Sequence, residues 1–214
     1  MIQNWIKWKE EYNKAWADYE KLWSFFDETL YDLFKKYPEH DTRKKIVAKV
    51  GLLGRAYFSG LERHSKKNLS GIADFFFNNR KSIDEVFSKL TVLREPLNEK
   101  KMLEIISLHG IFLEMLKKLT RDGNSVRSFA SKYMHFHCNA VPIYDNIAAS
   151  IIRKKDWYPL TNKNIRKFPM PRGADKTYYE YCLRFFAMYN DLRESGLDLS
   201  VKRLDKYLLW CAGK

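Results

Sequence analysis

Lys132 and Asp145 are the two residues whose types and spacing point to chemistry. They lie in the stretch Ser128-Phe-Ala-Ser-Lys-Tyr-Met-His-Phe-His-Cys-Asn-Ala-Val-Pro-Ile-Tyr-Asp-Asn-Ile-Ala149. An amine and a carboxylate brought together beside positive charge suit attack at a sugar C1′. As a glycosidic bond breaks, positive charge develops on the sugar. A carboxylate stabilises that charge and orients a water. An amine that reaches the same carbon forms a Schiff base, and strand cleavage can follow. Asp145 alone, with water as nucleophile, is the first expectation, and the Lys132 route is the second. Two plainer readings stand beside them: Asp145 as a helix N-cap only, and Lys132 as a solvated or phosphate-contacting lysine.

The elements that must position this pair are helices. The pattern predicts a helix from about 125 to 137, in which Lys132 is the only lysine. Val141-Pro142-Ile143-Tyr144 then leads into a helix opening at Asp145 and running to about 155. At a helix start, backbone N–H groups hold a carboxylate in place. Upstream, aromatic and aliphatic residues recur in steps of three and four from Trp5 to Tyr37, which predicts one long helix over 2–37 ended by Pro38. That stripe reads as core before it reads as a platform for bases. A helix over about 43–64 carries Gly51, Gly54 and Gly60, a sign of close packing or ligand approach. Further helices are expected near 69–79, 82–92, 98–119, 176–194 and 199–211, with an ordered loop over 156–174. No strand pattern is present. The fold class is all-α, and the 214 residues are expected to form a single two-lobed unit, with the hairpin and catalytic segment at 115–155.

Within that segment, Arg121-Asp-Gly-Asn-Ser125 forms a turn between helices, and Val141-Pro-Ile-Tyr-Asp145 places an acid at the next helix start. On these residues the chain resembles the helix–hairpin–helix DNA glycosylases, of the 8-oxoguanine glycosylase-like kind. The segment also resembles small bacterial proteins of that type associated with defence against phages carrying modified bases. The family pattern has a Val-Pro-x-Asp segment, here with one added residue, and a hairpin with two glycines, of which only Gly123 is present. The resemblance implies a two-lobed helical fold with a helix–hairpin–helix-like motif, whose cleft receives a flipped base. It also implies that the essential acid is Asp145, with Lys132 as the candidate amine. The implied activity is hydrolysis of the N-glycosidic bond of a damaged or modified base. A non-catalytic nucleic-acid-binding module of the same fold, or an RNA-directed component of a toxin or defence system, is the alternative.

The charge supports a polyanionic partner: 39 Lys and Arg stand against 26 Asp and Glu, a net +13. Arg121, Gly123 and Arg127 at the turn suit phosphate contact. Arg153, Lys154, Lys155, Lys163, Arg166, Lys167 and Arg172 lie in a 24-residue stretch with eight basic and two acidic residues, interleaved with Trp157, Tyr158 and Phe168. A pocket for a flipped base is expected from Tyr57, Glu62, Arg63, His135, His137 and Tyr144. The expected partner is double-stranded DNA with a flipped modified base.

No cofactor is expected. Cys138, Cys182 and Cys211 are scattered, without a CxxC, so neither a zinc ribbon nor a disulfide framework is expected. His135 and His137, two apart on a helix, point in different directions, so no metal site is expected there. The N-terminal segment lacks a signal-peptide apolar region, and no apolar run is long enough to span a bilayer. A cytoplasmic protein without a membrane or an obligate protein partner is the expectation.

Overall fold

The computed structural model describes residues 2–121, 126–153 and 168–213. Eleven helices and no strand are found among them. The fold is all-α, and no described helix is long and apolar enough to cross a membrane.

The first helical stretch is two elements. α1 (Ile2–Leu22) and α2 (Ser24–Lys36) meet at Trp23, whose backbone (φ −124°, ψ −15°) leaves the helical region. This corrects the expectation of one helix over 2–37. The break lets two faces be buried in different directions. Tyr12, Ala15 and Tyr19 are buried from α1, and Leu30 and Phe34 from α2. At the break, Trp23, Phe25 and Phe26 are left exposed.

The helix expected over 43–64 is also divided. α3 (Arg43–Ala56) stops before Phe58, which takes a positive φ of 49°. α4 (Leu61–His64) follows as a single turn. The guanidinium of Arg63 donates to the Phe58 carbonyl at 2.8 Å and closes the intervening loop. Gly51 meets its predicted role: a Cβ there would lie 3.3 Å from Leu69 of α5 (Leu69–Asn78), so the two helices pack closely.

α6 (Arg80–Leu90) and α7 (Glu99–Lys117) follow, α7 capped by the Asn98 side chain, which accepts from Lys101 N at 2.9 Å. α8 (Arg127–His137) carries Lys132, and α9 (Asn146–Arg153) begins directly after Asp145. α10 (Lys176–Glu194) and α11 (Val201–Ala212) complete the described helices, capped by Asp175 and Ser200.

Two sets of contacts organise these helices. α3 to α8 pack largely among themselves, with α2 against α3 and α8. α11 packs on α9 and α1, and α10 packs on α9 and α7. One apolar cluster runs through both sets. Burial of this cluster drives the association, and the polar segments between helices are left to shape clefts.

Candidate functional site

The segment joining α8 to α9 is fixed before any chemistry is considered. Its backbone carbonyls have no helix to satisfy them, so side chains do so. His135 Nδ1 bonds the Val141 carbonyl at 2.7 Å. Tyr178 and Tyr181, both from α10, donate to the carbonyls of Pro142 and Ile143, each at 2.8 Å. Ser131 Oγ accepts from Tyr144 N at 2.9 Å. These four side chains tie down the backbone that leads to Asp145.

Asp145 then meets Lys132. Lys132 Nζ lies 3.0 Å from Asp145 Oδ2, and it also reaches the Tyr57 carbonyl at 3.4 Å. The other carboxylate oxygen of Asp145, Oδ1, accepts from Ile147 N at 2.8 Å in the first turn of α9. The lysine side chain is 4% exposed and the aspartate 24%. The amine is therefore sheltered while the acid opens to solvent.

The pair stands between two clefts. One, of about 450 Å³, runs between the Tyr57–His64 loop, the start of α8 and the start of α9. The other, of about 390 Å³, lies between the start of α2, the end of α3 and the α11 residues Asp205, Lys206 and Leu209. Tyr57, Phe58, Lys132, Asp145 and Ile147 line both.

Tyr57 ties the pair to a second charged cluster that the sequence did not reveal. Its hydroxyl donates to Asp27 and accepts from Lys202 Nζ at 2.7 Å. Asp27 is 3% exposed. It also takes Tyr19 OH at 2.5 Å, Lys202 Nζ at 2.8 Å and Lys206 Nζ at 3.5 Å. Burial alone would raise the Asp27 carboxyl, but the ammoniums of Lys202 and Lys206 overcome this and hold it down to about 2. Burial and the nearby Lys206 pull Lys202 down to about 8. Burial, with the charge of Asp27, pushes the Tyr57 phenol far up, so it stays neutral. Three ammonium groups, of Lys132, Lys202 and Lys206, lie within 5.5 Å of the Tyr57 ring centroid. A sequence signal existed for two of them: Lys202 and Lys206 stand one helical turn apart on a predicted helix, but their acid partner is far away in the chain.

The sequence-derived residues divide by place. Tyr57, Arg63 and Tyr144 line the 450 Å³ cleft with the pair. Glu62, exposed on α4, lines neither cleft. His135 and His137, expected in a base pocket, line neither of the pair's clefts. His135 is wholly buried, with Nε2 on Tyr31 OH at 2.5 Å and Nδ1 on the Val141 carbonyl. His137 packs edge-on against Phe34 and close to Phe87, and it lines a separate cavity of about 760 Å³ beside α1 and α2. Burial holds both imidazoles neutral, His135 down to about 3.

Among the basic residues, Arg127 is engaged within the fold. Its guanidinium forms a two-pronged pair with Asp175, with Nη2 to Oδ2 at 2.8 Å, and lies over the Tyr144 ring. Asp175 in turn caps α10 by accepting from Tyr178 N at 2.7 Å. Arg121 Nε donates to the Ser65 carbonyl at 3.3 Å. Arg153 and Arg172 are exposed. Gly123 and the Asp122-Gly123-Asn124 turn, and Lys154, Lys155, Lys163, Arg166 and Lys167, lie outside the described residues. Among the described residues no cluster of three or more His, Cys, Asp or Glu is placed to hold a metal ion.

Comparison of the chain with family models, with curated proteins and with solved structures finds no match.

Proposed function

We propose that this protein is a DNA glycosylase-like enzyme that hydrolyses the N-glycosidic bond of a damaged or modified base after flipping it from the duplex. The observation that carries the reading is the Lys132–Asp145 pair, 3.0 Å apart, at the meeting of two clefts. One Asp145 oxygen is committed to the α9 start and the other to an ammonium. A carboxylate so held is oriented without reorganisation when charge develops on a sugar. It stabilises the cationic sugar, and a water on its open side attacks C1′.

Lys132 is spoken for by Asp145 and the Tyr57 carbonyl. That favours a role in aiming the acid over one as nucleophile, hence a monofunctional hydrolase without strand cleavage. The basic surface supplies the phosphate contacts that hold a kinked duplex, and action on modified phage DNA fits the same chemistry.

The test is abasic-site formation on duplexes bearing a panel of modified bases. Asp145→Asn is expected to lower the rate by roughly 10²–10³-fold with DNA binding retained. Borohydride is expected to trap no protein on DNA during active turnover. A trapped adduct that disappears in Lys132→Gln would reassign the lysine as nucleophile. DNA affinity with no base released from any duplex would leave a binding module in place of an enzyme.

A further inference from the structure

Trp23, Phe26 and Phe58 stand outside the core around the 390 Å³ cleft. Trp23 and Phe26, at the start of α2, are 59% and 55% exposed, and Phe58 is 83% exposed. None of them belongs to the buried apolar cluster. Phe58 lines the 450 Å³ cleft as well, so both clefts share it. Its positive φ of 49° is one that a bulky side chain rarely adopts, and the Arg63 guanidinium holds it there by donating to its carbonyl. Strain of this kind persists only where the surroundings enforce it, and it gathers at binding sites. Cations flank the ring on both sides. Exposed Arg55 lines the 390 Å³ cleft and exposed Arg63 the 450 Å³ cleft. The arginines paired with acids among the described residues are Arg43, Arg127 and Arg203, which leaves these two free for a ligand. The acids of the clefts are engaged or sealed: Asp145 holds Lys132, Asp27 holds Lys202 and Lys206, and Asp205 is fully buried.

We infer that Trp23, Phe26 and Phe58 form a stacking lip for an unpaired DNA strand, so that the preferred substrate is a base already out of the double helix, in a single strand or a bulge. In a duplex the base faces are stacked on one another and closed to an aromatic ring. In an unpaired strand they are open, and every base offers a π-face whatever its identity. The rings therefore choose the state of the strand and not the base. An apolar lip alone would suit a peptide equally. The unpaired guanidiniums beside it and the net charge of +13 favour a polyanion whose apolar parts are flat. The strand crosses Phe58 from one cleft to the other, with phosphates at Arg55 and Arg63, and the nucleotide between them meets Asp145. A base that is already unpaired also costs less to extrude. Resting on the glycosylase reading above, the lip adds to it the strand state of the substrate.

The experiment uses the full chain and the fluorescence anisotropy of one labelled DNA strand, offered alone, in full duplex, and in the same duplex with a bulged base. The strand alone is expected to bind tightest and the full duplex weakest. Trp23→Ala and Phe58→Ala are each expected to weaken strand binding roughly ten- to hundredfold and to leave duplex affinity within about twofold. Phe58→Trp is expected to bind as the wild type does. Phe58→Leu is expected to behave as Phe58→Ala, since leucine keeps the apolar bulk and lacks the π-face. Arg55→Gln is expected to make the salt slope of strand binding shallower by about 0.7. Equal affinity for strand and duplex, or Phe58→Leu indistinguishable from wild type, overturns the inference. Self-association in sedimentation that Phe58→Ala abolishes, with no preference for the strand, gives the lip to a second copy of the chain and overturns it too. Base release is then measured on the same DNAs carrying modified bases. Release alongside equal affinity for strand and duplex removes the lip and leaves the glycosylase reading standing. Strand binding through Trp23 and Phe58 with no base released removes the glycosylase reading alone.

Discussion

Asp27 illustrates how one residue can set a property of the whole fold. It is the sole acid bonded to Lys202 and Lys206 among the described residues, and it anchors two tyrosine hydroxyls as well. Its carboxyl is held at about 2, below its ordinary 3.8. A depressed carboxyl contributes stability that is complete above the ordinary value and is lost as pH falls through the folded one. The window is therefore about pH 4 down to 2, and the contribution is about 2 kcal/mol. Urea unfolding of the wild type is expected to show that loss over this window. Asp27→Asn is expected to lower stability at pH 7 by roughly 3–5 kcal/mol, because two buried ammoniums lose their counter-ion. It is also expected to flatten the acid limb. A limb of unchanged steepness in the variant would assign the acid sensitivity elsewhere. Asp145 was legible from sequence because Pro142 and the following apolar run mark a helix start. Asp27 was not, because its partners lie at the far end of the chain, and nothing local to Ser24–Lys36 distinguishes it from a solvated acid.

At the scale of elements, the regular spans were the readable part. Asn98 before α7 and Asp175 before α10 cap helices where the pattern places them, and both accept from the residue three positions on. The two missed breaks have a common cause. At Trp23 and at Phe58 the apolar periodicity continues across the interruption, so sequence alone gives no reason to stop. The exposure of Trp23, Phe26 and Phe58 at those breaks is what forms the second cleft. The struts from Tyr178 and Tyr181 were equally unreadable, since a side chain bonding a carbonyl 36 or 38 residues away leaves no local trace. Gly110 on α7 marks another such contact. A Cβ there would stand 2.5 Å from the Gly173 carbonyl oxygen and 3.0 Å from Ala174 Cα. Gly110→Ala is expected to cost about 1–3 kcal/mol, read as a lower denaturant midpoint. It is also expected to shift the segment before α10 that carries Asp175 and its Arg127 partner. A midpoint equal to wild type would mean that this segment yields freely.

For the whole molecule, a net charge of +13 makes salt dependence the sharpest test of a nucleic-acid partner. The logarithm of duplex affinity is expected to fall linearly with the logarithm of salt, with a slope of roughly −0.9 for each phosphate engaged. Arg153→Ala and Arg172→Ala, both on exposed positions, are each expected to make the slope shallower by about 1. Arg127→Ala is expected to act differently. Its guanidinium is already paired with Asp175, so the loss appears in thermal stability while the salt slope stays put. A slope near zero for the wild type would remove nucleic acid from consideration. Charge and composition make this partner class an expectation of the sequence, whereas the division of the arginines into surface and strut required the fold.

The contact of α1 with α11 carries one more consequence. α1 leaves a ribosome well before α11 is made, and at 5–20 residues per second that delay is roughly ten to forty seconds. Through that interval Tyr12 and Tyr19 have no α11 to cover them, and Asp27 has neither of its lysines. The nascent chain therefore presents a sticky, acid-bearing arm that a chaperone would shield.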